Sequence, residues 1–277
     1  MRFRGYAALS LAAVLFPVSD LIQRFVVCPI ARMFPARRPA ILAGWLRFLS
    51  RTLFMILRRV GGASIPRPGR VPGGPGVLIL MNHQSVLDIP MVVVSIDGVF
   101  PRIVTRLRYA RWIPLISHTV RMFEYPTVNP AAKAGKGRRL LEQLDHVART
   151  SEAPLVLFPE GTRTQDGEIG RFQTAGLERI LRARDWKVYV FVSDGYWRHR
   201  RLVDFLGGMQ DIEGHLSVLG PFEWKDPGAD PGDFIARMRG QMVDQLARVR
   251  RVEADLARAP DAAPTLTRDP DPAPTSP

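Results

Sequence analysis

The sequence predicts an α/β fold in which a central, mostly parallel or mixed sheet is flanked by helices. Two observations predict it. From residue 77 onward, apolar runs of strand length alternate with stretches of helical periodicity, and polar motifs directly follow two of the apolar runs. The composition agrees with a globular domain, since 46% of the 277 residues are hydrophobic and 23% are charged. A chain of this length can bury a full core as one domain and still carry an appended segment.

The predicted strands lie at residues 77–82, 100–105, 121–125, 154–158, 188–193 and 215–220. The predicted helices of the same domain lie at residues 86–96, 131–149, 172–184 and 233–258. The last helix begins after Pro231 and carries apolar residues at a spacing that predicts core packing, namely Phe234, Ile235, Met238, Met242, Leu246 and Val249.

Composition divides the chain into four parts. Residues 1–62 are predicted to form apolar and amphipathic helices that end at Gly61 and Gly62, and residues 63–76 read as a linker rich in Pro and Gly. Residues 77–258 form the predicted α/β domain. Residues 259–277 consist mostly of Pro, Asp, Thr and Ala, a composition that predicts a disordered tail.

The net charge of +13 predicts an anionic partner. Ten Arg and a single acid, Asp20, occur in residues 1–60, which are also the most apolar part of the chain. Because no nucleic-acid-binding signature accompanies the charge, we expect no nucleic-acid partner and favour an anionic membrane surface, with a nucleic-acid binder as the alternative. The single Cys28 excludes an internal disulfide.

The first apolar run, residues 6–18, is shorter than a membrane span and is followed by Asp20, Gln23 and Arg24. Whether residues 6–28 cross the bilayer is therefore left open. A signal peptide is the alternative interpretation, because the chain starts with a basic Met-Arg-Phe-Arg sequence, but no clean cleavage site precedes Asp20.

The second apolar segment, residues 41–59, predicts a helix that lies in the headgroup plane. On a helical projection Arg47, Arg51 and Arg58 form a narrow stripe beside a wide apolar face. The alternative is a helix that packs on the core of the protein itself and leaves an Arg edge in solvent.

Two motifs carry the candidate chemistry, and each follows an apolar run that predicts a strand. The first, NHQSVLD at residues 82–88, places His83 and Asp88 at H-x4-D spacing, and the second is FPEGTR at residues 158–163. Sites of open α/β folds usually lie at such strand ends. A base, a carboxylate that orients it and an anion-binding Arg would then lie close together.

The combination of the two motifs resembles the glycerolipid acyltransferase family, typified by 1-acyl-glycerol-3-phosphate (lysophosphatidate) acyltransferases, from about residue 77 to residue 220. The resemblance implies transfer of a fatty acyl group from acyl-CoA or acyl-carrier protein, the co-substrate, to the hydroxyl of lysophosphatidate, giving phosphatidate. It implies no further cofactor. No metal is expected either, since the other four His have no partners at metal-ligand spacing. We expect a peripheral or monotopic enzyme on the cytoplasmic face of the inner membrane.

The expected catalytic residues are His83, as general base, and Asp88, which would fix the tautomer of His83. The expected substrate-binding residues are Asn82, Arg106, Glu160, Gly161, Thr162 and Arg163. By resemblance the FPEGTR loop binds the phosphate and glycerol of the acceptor. The alternatives are a structural His83 with Asp88 as a helix cap, and a surface turn closed by a Glu160–Arg163 ion pair.

The sequence also departs from the family. The family has a strand that ends in Asp-Arg, whereas this chain has Tyr125 or Pro126 at that place, and residues 188–192 lack the Pro of the family's Val-Pro-Val segment. Arg106 is the nearest substitute for the missing phosphate-binding Arg. The acceptor therefore stays open between lysophosphatidate and another lyso-lipid, such as a lyso-aminolipid or a lysophospholipid with a larger headgroup. A non-catalytic lipid-binding protein is the alternative from another class.

Overall fold

The computed structural model of the chain describes residues 2–67, 69–129, 134–199, 201, 204–205 and 209–258. The predicted disordered tail, residues 259–277, lies outside the described residues. The helices are α1 Arg2–Ile22, α2 Cys28–Met33, α3 Arg38–Met55, α4 Asp88–Ser95, α5 Ile116–Met122, α6 Ala134–Thr150, α7 Thr174–Leu181 and α8 Gly232–Arg258. The strands are β1 Val77–Met81, β2 Arg102–Ile103, β3 Thr105–Arg106, β4 Thr127–Val128, β5 Leu155–Leu157, β6 Trp186–Asp194 and β7 His215–Trp224.

A mixed five-stranded sheet of order β2-β5-β1-β6-β7 forms the centre of the fold. Strands β2, β5, β1 and β6 are parallel, and β7 is antiparallel to β6. All residues of β1 and β5 are buried because helices cover both faces, which explains their continuous apolar runs. The predicted α/β class and mixed sheet are confirmed.

Each face of the sheet has its own core. Helices α6, α7 and α8 cover one face with residues that include Leu144, Leu177 and Met238. On the other face, α4 packs beside α3, whose Leu46 and Leu49 join one cluster with the sheet. Helix α3 is therefore part of the domain core.

The predicted strand at residues 121–125 is wrong. This stretch is the end of α5 and a turn, and the only pairing nearby in the described chain is the short parallel pair of β4 with β3. Its apolar residues are satisfied by an aromatic cluster instead, since the Phe123 ring lies 4.4 Å and the Tyr125 ring 6.2 Å from the ring of Phe100. Burial of alternating aromatic residues thus produces a strand-like pattern without a strand.

Residues 63–76 lie against the domain along much of their length. Ala63, Ile65 and Val71 are buried, and Ser64 and Val71 form isolated bridges to Glu213 and Ile96. The Pro and Gly residues that suggest a linker therefore belong to an irregular but packed segment.

Two helical stretches, Phe3–Met33 and Pro35–Gly61, are long and apolar enough by length and composition to cross a membrane. Core helices and signal sequences meet the same criterion. The polar residues that interrupt the first stretch are used inside the molecule. Asp20 accepts a hydrogen bond from the Leu115 N–H at 2.7 Å. Gln23 is fully buried and accepts from the Trp45 indole N–H at 2.9 Å.

Two arginines of the stripe in the second stretch form hydrogen bonds within the molecule. Arg47 donates to the carbonyl of Ile96 at 3.1 Å, and Arg58 donates to the carbonyls of Ile65 and Pro66 at 3.1 and 2.8 Å. Arg47 thus ties α3 to the domain, whereas Arg58, in the π-helical turn after α3, binds the segment that follows, and Arg51 is exposed. The outer surface of the helices also carries large apolar side chains, since Phe3, Val14, Phe25, Met33 and Phe48 are all more than half exposed.

Candidate active site

The chain leaves β1 at Met81 and turns so that His83 and Asp88 face each other. The His83 Nδ1 lies 2.8 Å from Asp88 Oδ2. Because a carboxylate can only accept, this contact places the proton on Nδ1 and leaves Nε2 with a lone pair. The side chain of His83 is 18% exposed and that of Asp88 is 1% exposed. A substrate can therefore reach the His83 ring, whereas Asp88 is shielded from solvent. The pair can act as a general base with a fixed tautomer.

The carboxylate of Asp88 is held by three further donors. Its Oδ2 accepts from the backbone N–H groups of Gln84 and Ser85 at 2.7 and 2.8 Å, and its Oδ1 accepts from Ser193 Oγ at 3.2 Å. Asp88 begins α4, but its side chain points back to the motif turn, and α4 has no side-chain cap. The alternative of Asp88 as a helix cap therefore does not describe the structure.

The FPEGTR loop is joined to His83 through its main chain. Glu160 accepts from the His83 N–H and from the Gly170 N–H, each at 2.9 Å, and the Thr164 N–H donates to the His83 carbonyl at 2.8 Å. The ring of Phe158 lies 4.4 Å from the His83 ring. The two motifs, predicted at neighbouring strand ends, thus form one structural unit.

Glu160 supports this unit from within. Its residue is 6% exposed, and burial raises the pKa of its carboxyl, although the two backbone N–H donors act in the opposite direction. A residue so deeply buried does not belong to a surface turn. Its contacts organise the loop, and its carboxylate lies among backbone amides.

Gly161, Thr162 and Arg163 form the outer part of the loop. Gly161 adopts φ +66, a conformation that L side chains rarely adopt, and Gly161 and Thr162 are exposed while Arg163 is half-buried. Arg106, from β3, donates to the Gly161 carbonyl. The structure thus brings Arg106 to the same loop as Arg163.

Asn82 has a different place from the one expected for a substrate-binding residue. It is 2% exposed, its Nδ2 donates to the Ser193 carbonyl at 2.9 Å, and its Oδ1 accepts from the Ser193 N–H at 2.8 Å. Both ends of the amide are used to bind β1 to β6. Its role in this geometry is to fix where the motif turn begins.

Sequence reasoning missed a polar network behind the motif turn. Gln84 is fully buried, and its Nε2 donates to Asp194 Oδ1 at 3.0 Å. Arg250 of α8 donates from Nε to Asp194 Oδ2 at 2.7 Å and from Nη2 to the Gly167 carbonyl at 2.9 Å. Although burial favours the neutral acid, hydrogen bonds from Arg250 and Gln84 hold the pKa of Asp194 below its usual value. Gln84 lies inside the first motif, but nothing in the sequence pairs Asp194 with Arg250.

The structure also locates the departure near Tyr125. Tyr125 is 7% exposed within the aromatic cluster, and Arg121 donates to the Ala110 carbonyl at 3.1 Å. Neither residue belongs to the FPEGTR unit by its contacts. Within the described residues, no group of three or more His, Cys, Asp and Glu could hold a metal ion.

Comparisons with known proteins identify a family and a similar fold. Residues 63–194 match the family model described as Acyltransferase. The fold is similar to the crystal structure of the 1-acyl-sn-glycerophosphate (LPA) acyltransferase PlsC from Thermotoga maritima, with a TM-score of 0.61. The identity is 13%, and the similarity covers 87% of this chain and 98% of that chain. No curated protein matches the sequence.

The family match includes residues 63–76 and both motifs, and it ends at the last residue of β6. Residues 63–194 thus match an acyltransferase domain, and the protein is an acyltransferase enzyme.

Proposed function

We propose that the enzyme transfers a fatty acyl group from a thioester, acyl-CoA or acyl-carrier protein, to the free hydroxyl of lysophosphatidate, giving phosphatidate. The observation that carries the proposal is the His83–Asp88 pair, with its 2.8 Å contact, joined through the main chain to a loop that bears Arg163. A base beside a cation suits an acceptor that has both a hydroxyl and a phosphate.

In the proposed reaction His83 Nε2 accepts the proton of the acceptor hydroxyl as its oxygen attacks the thioester carbonyl. Asp88 stabilises the imidazolium that forms. The tetrahedral intermediate then expels the thiolate, which takes the proton back from His83 and leaves as the thiol. Because the substrate supplies the hydroxyl, no acyl-enzyme is required.

The proposed acceptor site is the outer face of the FPEGTR loop. Arg163 and Arg106 are guanidinium groups, which bind phosphate through paired hydrogen bonds better than an ammonium does. The contact of Arg106 with the Gly161 carbonyl supports its role as a substitute for the missing family Arg.

The membrane is the proposed partner surface. The exposed apolar residues of α1, α2 and α3 support association of the enzyme with a lipid surface, as a peripheral or monotopic protein on the cytoplasmic face of the inner membrane. Such a location gives a soluble acyl donor and a membrane-borne acceptor access to one site.

The test is a thiol-release assay with acyl-CoA and acyl-carrier protein, each offered against lysophosphatidate, a lyso-aminolipid and lysophosphatidylcholine, with the lipid product identified. We expect phosphatidate from lysophosphatidate and none from the His83→Ala enzyme. Preferred acylation of the lyso-aminolipid or of lysophosphatidylcholine would instead support the alternative acceptors. Tyr125 is buried and stands where the family has a phosphate-binding Arg, so this position gives the loop no cation. That absence favours the alternative acceptors.

A further inference from the structure

One loop presents an aromatic side chain to solvent in a way that the proposed chemistry does not use. Residues 107–115, called the tryptophan arm below, include Trp112, which is 96% exposed. Trp112 also has φ +64 and Leu115 has φ +62, backbone conformations that cost energy for residues other than Gly. A Trp this exposed, on a backbone conformation that costs energy, is a candidate contact for a partner.

The base of the tryptophan arm is ordered by hydrogen bonds. Ile113 N–H donates to Ser117 Oγ at 2.8 Å, and Arg121 donates to the Ala110 carbonyl at 3.1 Å. Leu115 N–H donates to Asp20 of α1 at 2.7 Å. Trp112 is thus held outward by a fixed frame.

The chemistry of the tryptophan arm is basic and aromatic. Arg108 and Arg111 are exposed, and residues 107–115 contain no acidic residue. The Arg108 guanidinium lies 4.9 Å from the centre of the Tyr109 ring. Trp and Tyr concentrate at the membrane interface, and Arg binds anionic headgroups, so this combination suits an anionic bilayer.

The position of the tryptophan arm agrees with its chemistry. Its C-terminal end contacts α1 through Asp20, beside the outward-facing apolar residues Leu21 and Phe25, which are 55% and 73% exposed. Its N-terminal end follows Arg106, which contacts the FPEGTR loop. The arm therefore joins the apolar helical surface to the candidate acceptor loop.

We propose that the tryptophan arm is a second bilayer contact, separate from the apolar helices, with Trp112 at the headgroup boundary and Arg108 and Arg111 on anionic headgroups. This inference rests on the proposed membrane association and adds a defined contact to it. An acidic carrier protein would also meet arginines. The arm, however, is anchored to α1 at Asp20, next in sequence to the exposed Leu21, which favours lipid.

The first experiment places an environment-sensitive fluorophore on single cysteines of the full chain. Cys28 is 4% exposed, so the labelled wild-type protein is the labelling control. The probes replace Trp112, then Phe25 for the helical surface, then Val252, which is 59% exposed on α8, the helix that covers the other face of the sheet. The titrant is vesicles of phosphatidylglycerol and phosphatidylcholine.

We expect a blue shift and a gain of intensity at positions 112 and 25 but not at position 252. A response at position 25 alone would overturn the tryptophan arm and leave the membrane association standing. No response at either position would overturn both.

The second experiment removes charge. Arg108→Gln with Arg111→Gln should lower the partition coefficient for the same vesicles about 30-fold, since each basic residue contributes about 1 kcal/mol at an anionic surface. The matched control is Arg248→Gln with Arg251→Gln on α8, both exposed. An equal loss in both pairs would mean that only net charge acts, and would overturn the arm. Unchanged vesicle binding together with a raised KM for acyl-carrier protein alone would make the arm a carrier-protein site instead.

Discussion

At the scale of single residues, the site depends on which hydrogen bonds are committed and which atom is left available. His83 Nδ1 is hydrogen-bonded to Asp88, and the Asp88 carboxylate accepts from three other donors. Within the pair, the lone pair of His83 Nε2 is therefore the group that stays available for a substrate. The side chains of Asn82 and Glu160 instead form hydrogen bonds to backbone groups, which fix the position of the motif turn.

The first prediction concerns the base. His83→Ala should lower kcat about 100-fold or more, the usual scale for loss of a general base. Asp88→Asn should also lower kcat with the fold retained, because Asn cannot accept the Nδ1–H and both backbone N–H groups as a carboxylate does. The measurement is kcat of the purified variants, and circular dichroism spectra like that of the wild type show that each variant is folded. Turnover near that of the wild type in either one would exclude the mechanism.

The second prediction concerns the acceptor. Arg163→Ala should raise the KM for lysophosphatidate about ten-fold or more and leave the KM for the acyl donor unchanged, because charge-assisted hydrogen bonds contribute about 1.5–3 kcal/mol each. Arg163→Lys should recover part of the loss. Should the donor KM rise instead, the loop binds CoA phosphates.

The third prediction concerns Glu160 and pH. Burial raises its pKa in the folded state above the usual value of 4.5, so the folded protein binds more protons than the unfolded chain between the two pKa values. The wild type should therefore lose stability relative to Glu160→Gln as pH rises through that window. Denaturant unfolding of both proteins over the acidic range measures it, and a difference that does not vary with pH would contradict the burial argument.

At the scale of elements, α8 reaches the site from outside the matched family segment. Arg250 contributes three nitrogens to the carboxylates of Asp194 and Glu168 and to the Gly167 carbonyl. Asp194 in turn accepts from Gln84, which lies between His83 and Asp88 in sequence. Helix α8 therefore braces the turn that carries His83.

The fourth prediction follows from this brace. Arg250→Met should lower the free energy of unfolding by about 1–3 kcal/mol, less than for a fully buried pair because Arg250 is about one-third exposed. It should also lower kcat more than it raises KM, since the turn loosens. Adding Asp194→Asn to the Arg250→Met protein should lower the free energy of unfolding little further. Thermal unfolding of the two single variants and of the double variant gives the interaction energy between the two residues. Fully additive losses would show that the two residues act separately.

Prediction from sequence succeeded at this scale where burial alone decides the pattern. Strands β1, β5 and β6 are enclosed on both faces, so their apolar runs admit one interpretation. The strand predicted at residues 121–125 is wrong because an aromatic cluster buries alternate residues as a strand would. The contact of Arg47 could not be predicted, because it binds the carbonyl of Ile96, 49 residues away, and no local pattern records which chain segments come near. Arg250 and Asp194, 56 residues apart, could not be paired for the same reason.

At the scale of the whole molecule, the N-terminal helices are both core and surface. Leu46 and Leu49 pack against the sheet, whereas Phe3 and Phe25 face outward. One helical unit thus completes the hydrophobic core and offers an apolar exterior.

The fifth prediction is that residues 63–258 do not fold alone in solution. Removing residues 1–62 would expose the sheet face that Leu46 and Leu49 cover, and it would open the separate cluster in which Leu53, Phe54 and Leu57 pack beside Met91. Each such side chain contributes about 1.5–3 kcal/mol when buried, so the sum rivals the roughly 5–15 kcal/mol by which whole domains are stable. Limited proteolysis and a thermal melt of the truncated chain measure this. A cooperative melt would mean that the helices are only an appended anchor.

The main-chain link between the two motifs also sets the smallest unit that can be exchanged between related enzymes. The backbone of His83 is held at both ends, because its N–H donates to Glu160 and its carbonyl accepts from the Thr164 N–H. A graft of residues 158–163 alone, made to change the acceptor, would therefore shift His83, the proposed base, as well. Chimeras that move residues 82–88 and 158–170 together keep the two in register, so substrate preference in this scaffold is best redesigned as a pair of segments.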